Sequence, residues 1–177
     1  MVEVYGQQWW WGFNYDIDHD GSFTGPEDVT TATELIIPVG REVEVHVTSN
    51  DVIHSFWIPA LNGKRDAVPG RLHTLRMQAD QPGLFTGQCT EFCGLSHARM
   101  RQAAVALNTA DFQTWVDNQN ADYTAPEAGT LAAEGEQTFI ANCSKCHQVN
   151  GIAKADGSPV LSEPDLYVVS GVAPNLT

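Results

Sequence analysis

Between Glu42 and Thr48 the chain alternates without a break, with Val43, Val45 and Val47 set between Glu42, Glu44, His46 and Thr48. A period of two puts the valines on one side of an extended backbone and the polar residues on the other, so the segment is a strand with one buried face. That face needs a second layer to cover it. Similar short runs lie at Val4 to Tyr15, Glu34 to Val39, Ile53 to Pro59, Leu72 to Met77, Leu84 to Gln88 and Ala103 to Asn108, each bounded by Gly, Pro, Asn or Asp. Short strands at this spacing predict a β-sandwich or small barrel over the first 108 residues. One helix is expected to close it: Thr109 is the expected N-cap, Asp111 places an acid in the first turn, and Phe112, Trp115 and Val116 follow the helical period.

With 177 residues the chain has room for one domain and a small appendage. The stretch from Asn120 to Thr130, NADYTAPEAGT, is poor in large aliphatics and contains Pro126 and Gly129, the composition of a linker. The expected division is therefore a β domain over 1–119, a linker over 120–130 and a second, helical unit over 131–177. Nine Lys and Arg against 22 Asp and Glu leave a net charge of −13, which repels a polyanion and excludes nucleic acid as a first reading. No run approaches the roughly 18 apolar residues of a membrane span, and Met1-Val2-Glu3 lacks the order of a signal peptide, so the chain as given is expected to be soluble.

The four cysteines form two close pairs, each beside a histidine. In the first, Cys89, Cys93, His97 and Met100 gather two thiols, an imidazole and a thioether within twelve residues, a soft donor set that copper favours. A site for a single electron-transfer copper needs only one Cys, so the second sulfur points to two bridging thiolates and two metal ions. His54, which opens the run HSFWIP, is the best placed second imidazole. A disulfide or a structural zinc site are the alternatives for two such cysteines; Met is a poor zinc ligand, which weighs against the latter.

These residues resemble a known family. Cys89-x-Glu91-x-Cys93-Gly94-x-x-His97-x-x-Met100, with Asp51-Val52-Ile53-His54-Ser55-Phe56, Asp66-Ala67-Val68-Pro69-Gly70-Arg71 and Gln8-Trp9-Trp10-Trp11, is similar to subunit II of haem–copper cytochrome c oxidase over about residues 4 to 118. The resemblance implies a mainly β fold, a cupredoxin-like Greek-key sandwich holding the binuclear CuA centre. It implies His54, Cys89, Cys93, His97 and Met100 as copper ligands, with Glu91 giving its backbone carbonyl. It also implies that the Glu91 side chain reaches a magnesium shared with subunit I, and that Trp9 stands where electrons enter. Glu91 favours the oxidase over nitrous-oxide reductase, where that position resembles a Trp. Quinol oxidases of the same superfamily lack the copper cysteines.

In the second pair, Cys143-x-x-Cys146-His147 is the attachment motif of c-type haem, two thiols for the vinyl groups and an adjacent imidazole for the iron; a redox CxxC pair or a zinc knuckle is the alternative. It is similar to the partial α-helical cytochrome c domain fused to subunit II in caa3-type oxidases, a likeness extended by Gly135-Glu136-Gln137-x-Phe139 and Ala173-Pro174-Asn175-Leu176. The only methionines are Met1, Met77 and Met100, so no Met follows His147 to serve as sixth ligand. The cytochrome is expected to be cut short, and the membrane helices that begin subunit II are expected to lie outside this sequence.

The resemblance therefore implies an electron-transfer subunit of a caa3-type oxidase, relaying electrons from haem c through CuA to haem a of subunit I, where dioxygen is reduced to water. Its partners would be subunit I and the other oxidase subunits, with cytochrome c or an upstream respiratory complex as donor, on the outer face of a bacterial or archaeal membrane. A copper carrier or sensor is the reading from another class, and the haem motif speaks against it. Finally, Asp16, Asp18, Asp20, Gly21 and Glu27 occupy positions 1, 3, 5, 6 and 12 of a calcium-loop pattern, which an acidic hairpin loop also explains because Asp and Gly are ordinary turn residues.

Overall fold

Parallel pairing between strands distant in sequence organises the first unit. β1 (Val2–Gln7) runs beside β5 (Val43–Ser49) in parallel, with Val4 opposite Val47 and Gly6 opposite Ser49. With β2 (Trp10–Tyr15), β3 (Val29–Ala32) and β8 (His73–Met77), they form a five-stranded sheet in the order β3-β2-β1-β5-β8. A three-stranded sheet, β4-β10-β9, contains the second parallel pair, β4 (Glu34–Pro38) beside β10 (Arg101–Leu107), flanked by β9 (Gly83–Gln88). A ribbon of β6 (His54–Phe56) and β7 (Arg65–Ala67) stands beside them. This is a cupredoxin-like Greek-key sandwich, mainly β as expected. The computed structural model describes residues 1–23, 27–144, 146, 147, 149 and 173, and the chain divides into two compact units, Met1–Asn120 and Ala121–Thr177.

The valines of β5 are buried and their polar neighbours half-buried, as the alternation requires. Val4, Trp11, Phe13, Leu35, Ile37, Val45, Val47, Phe56, Ala104 and Ala106 fill the space between the sheets. Each large side chain removed from water in this way stabilises the fold by about 1.5–3 kcal/mol. Trp11 meets Phe56 edge-on at 5.2 Å between centroids, an arrangement aromatic pairs prefer. The helix α1 (Thr109–Gln119) packs its Trp115 edge-on against Tyr15 at 5.1 Å. The Tyr15 hydroxyl accepts the Ile36 amide at 2.7 Å, and burial raises its pKa, so the phenol stays neutral.

Some local expectations change. Val4 to Tyr15 is not one strand but a hairpin that turns at Gln8 and Trp9. No Gly, Pro, Asn or Asp marks that turn, because long-range bonds hold it: the Gln8 amide donates to Asp51 Oδ2 at 2.7 Å, and the Gln8 and Trp9 side chains donate to the Cys93 carbonyl. Helix α1 is capped at Asn108 rather than Thr109, with the Phe112 amide donating to the Asn108 carbonyl at 2.8 Å. Strands β3 and β7 carry no continuous apolar run; each is placed by backbone pairing, by one buried residue (Val29, Ala67) and by a cross-strand bond, Thr30 Oγ1 donating to Asn14 Oδ1 at 3.1 Å and Ser55 Oγ to Asp66 Oδ1 at 2.8 Å. In the second unit α2 (Leu131–Asn142) starts at Thr130, whose Oγ1 accepts the Ala133 amide at 3.3 Å, and ends at Cys143. The positions 150–172 and 174–177, including most of the Ala173-to-Leu176 motif, lie outside the described residues.

Gly87 is required for close approach of β9 to the chain after β6. A Cβ there would stand 2.3 Å from the Trp57 carbonyl oxygen, which accepts both the Gln88 amide and Gln102 Nε2 at 3.1 Å. Gly87→Ala is therefore expected to destabilise the first unit by about 1–3 kcal/mol in chemical denaturation. Gly63→Ala, where a Cβ meets nothing within 4 Å, is expected to stay within about 0.5 kcal/mol.

Candidate metal centre

The loop between β9 and β10 carries the sulfur donors and is fastened at both ends. The Cys89 amide donates to the Met100 carbonyl at 3.0 Å, closing the loop on itself, and the Thr90 amide donates to Ser55 O at 3.0 Å, tying it to β6. A 3₁₀ turn over His97–Arg99 brings the His97 ring back over the loop. Gly94, at φ +116°, passes the Gln8–Trp9 turn so closely that a Cβ would lie 2.9 Å from Gln8 Nε2 and 3.2 Å from the Trp9 ring. Gly6 is similar on the other side, since a Cβ there would stand 2.7 Å from His54 Cδ2.

His54, Cys89, Cys93, His97 and Met100 converge. Cys89 Sγ lies 3.9 Å from Cys93 Sγ and 4.0 Å from His54 Nδ1. Cys93 Sγ lies 3.5 Å from His97 Nδ1 and 3.7 Å from Met100 Sδ. The Glu91 carbonyl oxygen is 3.2 Å from Cys89 Sγ, while the Glu91 side chain is exposed. Donors that share one tetrahedral metal at about 2.0–2.3 Å stand roughly 3.3–3.8 Å apart, so these separations fit metal ions held between two thiolates. They do not fit a disulfide, and both cysteines are free. His54 is fully buried and Cys89, Cys93 and Met100 nearly so, whereas His97 is half-exposed.

Neighbouring groups orient the donors. His54 Nε2 lies 2.8 Å from Asp51 Oδ1, which leaves Nδ1 facing Cys89. Gln8 Nε2 and Trp9 Nε1 both donate to the Cys93 carbonyl, at 2.7 and 3.1 Å. The roles of Asp51, Gln8, Gly6 and Gly94 are not apparent from the spacing of the donors. The one clue in the chain is adjacency: Asp51 stands three residues before His54 and Gly94 next to Cys93. Burial alone would raise the Cys89 thiol, but contacts with His54 and with the Ser55 and Glu91 backbone bring it down to about 7. Cys93 is pushed up to about 12 by burial and by the charge on Cys89. Burial works against a charge on His54, and the hydrogen bonds to Cys89 and Asp51 outweigh it, raising its pKa.

The haem motif is delivered by the end of α2. Cys143 and Cys146 are exposed free thiols, and the Cys146 and His147 amides donate to the Cys143 carbonyl at 3.0 and 2.9 Å. In the acidic loop, Asp16 and Asp18 group with Asp28, an acid outside the calcium-loop pattern, and neither Asp20 nor Glu27 joins them. Thr24, Gly25 and Pro26 of that pattern lie outside the described residues.

A Greek-key sandwich with a sulfur and imidazole cluster between its β9–β10 loop and β6 defines the first unit as a cupredoxin-like metal-binding domain. The family described as "Cytochrome C oxidase subunit II, periplasmic domain" matches residues 1–107, and "Cytochrome c" matches residues 132–175. Cytochrome c oxidase subunit 2 of Alkalihalophilus pseudofirmus is 39% identical over 175 residues, covering 98% of this chain and 48% of that protein. The Thermostichus vulcanus subunit is 37% identical over 74% of this chain and 37% of its own length. The periplasmic domain of subunit II of cytochrome oxidase from Bradyrhizobium japonicum is similar in structure, with a TM-score of 0.60 and 31% identity over 67% of this chain and 91% of that one. The chain belongs to the cytochrome c oxidase subunit II family. It spans about half the length of the relative from Alkalihalophilus pseudofirmus. The family implies a copper CuA centre in the first unit and a haem in the second. No helix among the described residues is long and apolar enough to cross a membrane.

The thiol environment has a measurable consequence. In metal-free protein the ultraviolet absorbance of thiolates is expected to show a step near pH 7 from Cys89. Removing the imidazole with His54→Ala takes away a contact that lowers this pKa, so the step is expected to move upward toward the ordinary thiol range. A step that stays near pH 7 in His54→Ala would contradict the assignment.

Proposed function

We propose that this chain is the electron-transfer subunit of a caa3-type cytochrome c oxidase, relaying electrons from haem c through the CuA centre to haem a of subunit I, where dioxygen is reduced to water. The observation that carries this reading is the mutual placement of Cys89 and Cys93, with His54, His97 and Met100 around them and the haem motif Cys143-x-x-Cys146-His147 on the same chain. Two coppers held by the bridging thiolates would share one electron, and the haem would supply a second one-electron carrier. Every other part of the function falls to the protein's own groups. The sandwich and the loop bonds at Cys89, Thr90 and Met100 hold the donors in place, so little rearranges as charge arrives or leaves. His54, Cys89, Cys93 and Met100 are buried, which suits a relay, and dioxygen chemistry is proposed to fall to subunit I.

Trp9 is the proposed point where electrons enter, because its indole N–H donates directly to the carbonyl of Cys93 and so joins the surface to a thiolate ligand. Glu91 is proposed to ligate through its carbonyl and to direct its exposed carboxylate to a magnesium shared with subunit I. The exposed Phe92 and Leu95 on the same loop, 76% and 97% accessible, supply apolar surface for contact with other oxidase subunits. Cytochrome c or an upstream respiratory complex is the proposed donor, on the outer face of the membrane. A mixed disulfide between a thioredoxin-like protein and subunit II of cytochrome c oxidase is known as a structure, 33% identical and with a TM-score of 0.56 to this chain. Cys89 and Cys93 are free here. Were they oxidised to a disulfide, attack by the thiolate of such a protein would form a mixed disulfide with one and release the other, and a second thiol of that protein would free both for metal.

Copper-loaded protein is expected to bind two coppers per chain and to give the EPR spectrum of one electron shared between them. Cys93→Ser is expected to abolish that spectrum; its survival would exclude bridging by Cys93. Asp51→Asn removes the partner that orients His54, and copper affinity measured by competition with a chelator is expected to fall about 10- to 100-fold. In an assembled oxidase, Trp9→Phe is expected to leave the copper spectrum in place and slow electron uptake from the donor in stopped-flow measurements.

A further inference from the structure

The hairpin between β2 and β3 holds a group of acids that the electron-transfer reading does not use. Tyr15, the last residue of β2, is paired with Val29, the first of β3. The residues just outside that pair are Asp16 and Asp28, so two carboxylates face each other across the mouth of the loop, an arrangement of like charges that destabilises a strand pair. Asp18 adds a third: one ligand oxygen from each of Asp16, Asp18 and Asp28 lies within 4.8 Å of the others. No ion pair among the described residues neutralises Asp16 or Asp18, and the Met1 amine donates to the Asp16 backbone carbonyl at 3.5 Å rather than to its carboxylate.

Asp16 separates this group from an ordinary solvated acidic loop. Its side chain is 3% exposed, and its Oδ1 is buried with no hydrogen-bond donor among the described residues. A carboxylate taken out of water without a donor or counter-charge is costly, and such groups are retained where a cation neutralises them. We propose that Asp16, Asp18 and Asp28 bind a calcium ion that clamps the mouth of the β2–β3 hairpin. Three carboxylates at the lip of a loop suit a hard cation with oxygen ligands, and calcium tolerates the irregular geometry of such a loop better than magnesium, which demands a near-ideal octahedron. The remaining coordination positions are left to water and backbone oxygens. The closing acid is Asp28 rather than Glu27. The Asp28 side chain already folds back over the loop, accepting the Ile17 amide at 3.2 Å, whereas Glu27 is exposed and its carbonyl is engaged by Asn120 Nδ2 at 3.0 Å. Asp20, exposed, spends its Oδ1 on the Ser22 amide at 2.7 Å.

This proposal does not rest on the copper or haem assignments, and its test reads neither. Calcium chloride is titrated calorimetrically into the whole chain in chelator-treated buffer, and into Asp18→Asn, Asp28→Asn and Glu27→Gln. Asp18 is exposed, so its variant is expected to fold even where a change at buried Asp16 does not. One calcium per chain is expected in the unmodified protein and in Glu27→Gln, with affinity reduced at least about tenfold in Asp18→Asn and Asp28→Asn. At about ten times the dissociation constant, calcium is expected to raise the Tm of the first unit by about 3–6 °C, and that of Asp18→Asn by no more than about 2 °C. Absence of binding up to millimolar calcium would overturn the proposal, as would loss of binding in Glu27→Gln with retention in Asp28→Asn. An equal Tm rise with the same concentration of magnesium would also overturn it, since general screening of an acidic loop would then be enough.

Discussion

The parallel register of β1 on β5 is the constraint on which the metal centre depends. Gly6 lies opposite Ser49, and the Asn50 amide continues the ladder onto the Gly6 carbonyl at 3.0 Å. This pairing carries the end of β1 alongside the segment that leads from β5 into β6. It puts the Gln8 amide on Asp51, Asp51 on His54, and the His54 ring over the bare backbone of Gly6. A shift of one residue would put a side chain where the ring now lies and turn the β5 valines toward solvent, so core and site demand the same register.

From that frame the site is built by bonds between segments as well as within the β9–β10 loop. Cys93 receives two side-chain hydrogen bonds on its carbonyl from the β1–β2 turn, and Cys89 and Thr90 are tied to Met100 and to β6. The two thiols, four residues apart, consequently occupy different electrostatic surroundings. Cys89 faces His54 and backbone donors and ionises readily, while Cys93 sits in the field of Cys89 and resists. Metal ions bound here would take the place of the proton that burial and the charge on Cys89 retain on Cys93.

The acidic hairpin at Asp16 to Asp28 follows the same logic at the opposite boundary of β2, where the pairing of Tyr15 with Val29 sets two carboxylates face to face. Tyr15 itself is held between Trp115 and the Ile36 amide, so the strand end that carries Asp16 is anchored in the sandwich, while Asp18, His19 and Asp20 beyond it are exposed.

The sequence by itself determined the class of structure and the donor residues. The alternation at Val43 to Val47 specifies a half-buried strand because side chains on a pleated backbone point alternately to its two faces. The sulfur and imidazole donors of Cys89 to Met100 are legible for a similar reason, since a single loop can gather ligands that are close in sequence. The tertiary structure decided what depends on contacts between distant segments. The turn at Gln8 and Trp9 bears no turn residues, because Asp51 and Cys93 supply its bonds from 43 and 85 positions away. Asp28 replaces Glu27 in the acid group because strand pairing, not spacing along the loop, sets which carboxylate faces Asp16. Local chemistry can be read along a chain, but the partner of a backbone amide or a buried carboxylate is chosen in three dimensions, where every such group must find a donor, an acceptor or an ion.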